Sequence, residues 1–95
     1  MIVFLSGPIT GVEDYREKFA AAEAQLIDQG HVVLNPAVLP FGLEHGQYMA
    51  ICYPMLVCAD EVAQLPGWEN STGALIEHRW AQALGKSCWR IEAPR

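Results

Sequence analysis

The chain has 95 residues, 52% of them apolar, and 6 Lys and Arg against 11 Asp and Glu, a formal charge of −5. That length holds one domain, 1–95, and the acidic balance without a basic cluster argues against a nucleic-acid polymer as partner, since phosphates are neutralised by Lys and Arg. Three cysteines without a CxxC pair suit a reduced, cytoplasmic protein. The scattered histidines give no zinc spacing, and no stretch approaches the ~20 apolar residues of a membrane span. No cofactor or metal is expected, and the short apolar start Met1–Leu5 lacks the basic flank of a signal peptide.

In chain order, Ile2-Val3-Phe4-Leu5 is apolar at every position, the mark of a strand buried on both faces, and it ends at the turn Ser6-Gly7-Pro8. Asp14 with Glu17 three places on has the spacing of a capping box, and a helix is expected from about Asp14 to Gln29, stopped by Gly30. His31–Leu34 reads as a second strand, closed by Asn35-Pro36, and Ala37–Gly46 as a loop. Gln47–Val57 reads as a second helix in which Pro54 is the awkward residue. Glu61–Leu65 is a third strand, Ser71–Leu84 a third helix ended by Gly85, and Ser87–Ile91 a fourth strand. This β-α-β-α-β-α-β alternation predicts an α/β fold: a four-stranded parallel sheet between two helical layers, flavodoxin-like or Rossmann-like, in strand order 2-1-3-4.

In such sheets ligands bind beyond the C-terminal strand ends, at the switch point between strands 1 and 3. Two loops should meet there, Ser6–Gly11 and Pro66–Ser71, whereas the opposite edge has only tight connections. Ser71 is a good N-cap, and the amides of Ser71, Thr72 and Gly73 can hold an anion. Glu77 lies one turn after Gly73 on the same helical face. A rotation of ~100° per residue places Ile76, Trp80, Ala83 and Leu84 on the buried stripe and Glu77 at its edge. An anion site and a half-buried carboxylate thus fall within one ligand's length. The plain alternative is a solvated helix Glu beside a simple cap.

Phe4-Leu5-Ser6-Gly7-Pro8-Ile9-Thr10-Gly11, Gly30–Pro36 and Leu65–Ala74 through Glu77 resemble a small bacterial and phage-borne family. That family is similar to nucleoside 2-deoxyribosyltransferases and 2'-deoxynucleoside 5'-phosphate N-hydrolases. The resemblance implies such a domain over 1–95, with Glu77 of the Ser-x-Gly-x-x-x-Glu core as the catalytic nucleophile and Ser71 holding a 5'-phosphate. Ser6, Gly7 and Pro8 would line the sugar pocket. Asn70 and Gly73 are further substrate-binding candidates, and Trp68 is a candidate to stack on the base, although a Trp in this loop is about as often a core or interface residue. Tyr48 and His45 are further pocket candidates, while His78 should point elsewhere.

The sequence departs from the relatives at two places. Phe4 stands where they carry a Tyr, which removes that hydroxyl from the nucleophile. Ile51 and Cys52 stand near their acidic residue in the second helix. The expected function is an N-glycosidase or deoxyribosyltransferase acting on a nucleoside or nucleoside 5'-monophosphate. The alternative is a non-catalytic nucleotide-binding or protein-interaction module, favoured if Glu77 is buried against a base such as Arg16 or Arg79. Trp68, Trp80, Trp89 and Tyr53 offer more aromatic surface than a small core hides, so a homodimer or larger homo-oligomer is expected.

Overall fold

A computed structural model describes residues 1–92. Its sheet is four-stranded and parallel throughout, in the order β2-β1-β3-β4. The strands are β1 (Ile2–Ser6), β2 (Val32–Leu34), β3 (Glu61–Gln64) and β4 (Ser87–Arg90), linked by α1 (Tyr15–Asp28), α2 (His45–Cys58) and α3 (Thr72–Ala83). Short 3-10 turns at Pro36–Val38 and Trp68–Asn70 complete the order. The α/β class, the parallel pairing and the strand order are those expected from the alternation of elements.

Strand alternation decides what each helix covers. Val3 and Leu5 of β1 face α1, where Phe19, Ala22 and Leu26 close one core. Phe4 and Val62 face the other way, onto Cys52 and Leu56 of α2 and Ala81 of α3. The fold is therefore three-layered, with α1 alone on one side. Ser6 shares the face of Phe4 and so looks toward α2 and α3.

Local structure departs from expectation in three places. Asp14 precedes α1 but makes no capping bond, because its backbone (φ −99°, ψ 25°) is not extended and its carboxylate does not fold back over the first turn. It pairs instead with exposed Lys18 at 3.5 Å. The helix start is signed elsewhere: Gln47 Oε1 accepts from the Glu44 N–H at 3.0 Å, so α2 begins two residues earlier than expected. Pro54 neither ends nor shortens α2. It lies on the exposed side with Ala50, so the carbonyl left without a partner faces water.

The third departure bears on function. On α3 the buried positions are Ala74, Glu77 and Ala81, while Leu75, Ala83 and Leu84 are exposed and Trp80 is half-buried. The predicted stripe is out of phase by about one position, and Glu77 sits at its centre rather than its edge. Size explains the error: with Ala74 and Ala81 inward, α3 lies close to the sheet, and the larger apolar residues flank the contact.

Candidate functional site

The C-terminal ends of β1 and β3 are neighbours, with Ser6 in register with Gln64. Beyond them the chain turns away at Gly7, where no side chain fits: a Cβ would stand 2.8 Å from Leu65 Cβ. The loops after β1, β2 and β3 diverge from these ends, and two adjoining cavities of about 310 and 500 Å³ open between them. Both are bordered by Thr10, His45, Ser71 and Gly73. The first extends toward Tyr15, Phe41 and Tyr48, and the second toward Pro8, Asn70 and Thr72. Ser71 Oγ accepts from the Ala74 N–H at 3.3 Å, the cap expected of it.

Glu77 is 4% exposed. Ser6 Oγ donates to Glu77 Oε1 at 2.7 Å, and both residues are buried. The other carboxyl oxygen, Oε2, has no hydrogen-bond partner among the described residues. No Lys or Arg pairs with Glu77 there: Arg16 donates to the Leu39 carbonyl, and Arg79 is exposed. Burial pushes the Glu77 carboxyl up to about 7, against the Ser6 hydroxyl and the nearby Cys52 thiol, which both favour the charged form.

The surrounding groups are also kept neutral. Burial, and then Glu77, push the Cys52 thiol up to about 12, and burial pushes the Tyr48 phenol well above its usual range. Cys52 follows Tyr48 by one turn of α2, so Tyr48 reaches the cavity while Cys52 stays inside beside Glu77. The carboxyl lies one turn after Gly73 and borders neither of these cavities, whereas Tyr48, Met49 and Gly73 border the first. The arrangement is a carboxyl poised near neutrality, held by one neutral hydroxyl, just behind a cleft that ends at a capped helix N-terminus.

Residues 1–89 match the family described as Domain of unknown function (DUF4406). The chain belongs to the DUF4406 family. No curated protein and no solved structure matches it.

Of the residues singled out in this DUF4406 sequence, Pro8, Asn70, Ser71 and Gly73 border the cleft, as do His45 and Tyr48. Gly7 shapes the turn beneath it. Ser6 donates to Glu77 and borders neither cavity. Phe4 itself is fully buried in the core. Trp68 borders neither cavity; its ring stacks on His78 at 4.7 Å between centroids, and His78 Nδ1 in turn meets Gln64 Nε2 at 2.7 Å. His78 thus points away from Glu77, as expected.

Sequence reasoning in this DUF4406 chain missed Cys52 as a neighbour of Glu77 and Phe41 as part of the cleft. The i,i+4 spacing of Tyr48 and Cys52 was the available signal for the first. Among the described residues no cluster of His, Cys, Asp and Glu could hold a metal ion, and no helix is long and apolar enough to cross a membrane.

Proposed function

We propose that this domain cleaves or transfers the N-glycosidic bond of a nucleoside or nucleoside 5'-monophosphate, with Glu77 as nucleophile. The observation that carries this reading is the Glu77 carboxyl. Among the described residues it is buried, paired with no Lys or Arg, and bound through one oxygen to Ser6, while the other oxygen has no hydrogen-bond partner and the Cys52 thiol lies nearby. Buried polar atoms are nearly always satisfied, and a perturbed carboxyl beside a cleft is a functional candidate for a stated physical reason. The resemblance of the Ser71–Glu77 core to the deoxyribosyltransferases and nucleotide N-hydrolases supports the same assignment.

In the proposed reaction, ionised Glu77 attacks the anomeric carbon through Oε2 while Ser6 holds Oε1. A C–O ester bond forms, the C–N bond breaks, and its electron pair leaves with the base, which takes a proton from water. Water, or the nitrogen of a second base, then displaces the carboxylate, so two inversions give net retention. Substrate has to reach Oε2 from the cleft past the Gly73 turn, where the flexible thioether of Met49 lies close by. The Ser71 cap and the amides that follow hold the 5' oxygen or phosphate.

Ser71→Ala is expected to cost about 1 kcal/mol of stability through the lost cap. It should weaken binding of a nucleoside 5'-monophosphate more than that of the parent nucleoside, as read by calorimetry on both. Equal weakening of the two would remove Ser71 from the phosphate site.

One observation favours a second reading, a binding module without chemistry: Glu77 is closed off from the cavities. A screen of nucleosides and 5'-monophosphates for free-base release separates the two. Release that depends on Glu77 supports the enzyme, whereas binding without release supports the module.

The same proposal includes a homodimer, and α2 is the element that supports it. Its fourteen residues include no Asp, Glu, Lys or Arg, and Ile51, Tyr53 and Val57 are each about 40% exposed on it. A helix apolar all round is ordinarily covered, and a face without charge lets two copies of an acidic chain meet without repulsion. Light scattering should give twice the chain mass for the wild type and the single-chain mass for Val57→Glu. A monomeric wild type at high micromolar concentration would contradict the dimer.

A further inference from the structure

The loop after β2 carries a side chain that the folding of the chain does not account for. Phe41 is 75% exposed, yet its ring is fixed from two sides. The Arg16 guanidinium carbon lies 3.8 Å from its centroid, and Tyr15 meets it edge-on at 6.5 Å and 88°. Arg16 also donates through Nη2 to the Leu39 carbonyl at 2.7 Å, so one residue of α1 holds both the loop backbone and the ring. Gly42 follows with φ +95°, a left-handed conformation that glycine adopts readily.

The position of this ring in the cleft gives the arrangement a purpose. Tyr15, Phe41 and Tyr48 border one end of the smaller cavity, while Thr10, His45 and Ser71 border the part it shares with its neighbour. The cleft therefore suits a ligand with one flat apolar end and one polar end. The guanidinium takes one face of Phe41, which leaves the opposite face for a planar ring. Trp68 is unsuited to that task because it borders neither cavity.

We propose that Phe41, latched by Arg16 and Tyr15, is the platform on which the planar heteroaromatic base of the ligand stacks. The identity of the ring as a nucleobase rests on the function proposed above; the platform does not.

The test measures binding by calorimetry in the Glu77→Gln background, which removes turnover. The probes are a purine and a pyrimidine 2'-deoxynucleoside 5'-monophosphate, with 2-deoxyribose 5-phosphate as the ligand without a base. Phe41→Ala, a change at an exposed site, should lower Tm only slightly, through the lost contacts to Arg16 and Tyr15. It should weaken the nucleotides roughly tenfold, the scale of one base–aromatic stack, and 2-deoxyribose 5-phosphate less than about twofold. Arg16→Met should weaken the nucleotides in the same direction by less. Equal losses for all probes, no loss for the nucleotides, or no binding of any probe without Phe41→Ala would overturn the platform. Phe41-dependent nucleotide binding together with no base release by the wild type would leave the platform standing and overturn the glycosidase reading.

Discussion

Glu77→Gln is expected to lower base release from a nucleoside or nucleotide substrate by roughly 10³-fold or more, since loss of a covalent nucleophile removes the mechanism itself. Gln is the informative replacement. Glu77 is only 4% exposed, at the centre of the α3 contact, so Ala would open a cavity beside Ser6 and Cys52, whereas Gln keeps the volume and can still accept from Ser6. In the wild type, the rate should rise with pH through about 7 as the raised carboxyl ionises, then level off. A rate that falls over that interval would make Glu77 a proton donor instead. A Gln variant with wild-type turnover would remove it from the reaction.

The second large effect is on stability. Burial raises the folded-state value of Glu77 from its ordinary 4.5 to about 7. Between those values the folded chain keeps a proton that the unfolded chain has released. The contribution is therefore full below the ordinary value and is lost as pH rises through the raised one. At ~1.4 kcal/mol per pH unit the loss is about 3 kcal/mol, a Tm difference on the order of 10 °C for a domain of this size. Glu77→Gln carries no such proton. Denaturant unfolding should show the wild type and Glu77→Gln within about 1 kcal/mol of each other at pH 5 and the variant clearly more stable at pH 8, on the same shift. Parallel profiles for the two proteins would show that the carboxyl is solvated or paired, and would remove the strain that marks the site.

The sheet was legible because its signals are local and agree with one another. An uninterrupted apolar run at Ile2–Leu5, short turns at Gly30 and Gly85, and alternation of strands with helices leave one common arrangement. The loops at the strand ends could be placed for the same reason, and Ser71 capped its helix as its residue type required. Errors came where tertiary packing decides. On α3 the rotation followed the largest apolar residues, but close packing on the sheet selected Ala74 and Ala81, which carried Glu77 to the centre of the contact. At Asp14 the spacing of a capping box was present without the backbone conformation that uses it.

Other features lay beyond any local pattern. The bond from Ser6 to Glu77 joins residues 71 positions apart. Trp68 was assigned to a ligand because nothing in the sequence shows that His78 stacks on it. Phe41 carries no signal in the sequence, being an apolar residue in a Pro- and Gly-rich loop whose partner Arg16 lies a full helix and strand earlier in the chain.

The most direct test of the central claim is mass spectrometry of protein mixed with 2'-deoxynucleosides and their 5'-monophosphates and quenched in acid during turnover. The account predicts free base together with a sugar or sugar-phosphate ester on the peptide that contains Glu77, both absent from Glu77→Gln. Base release that continues unchanged in Glu77→Gln, or no base released from any of these compounds, would contradict it.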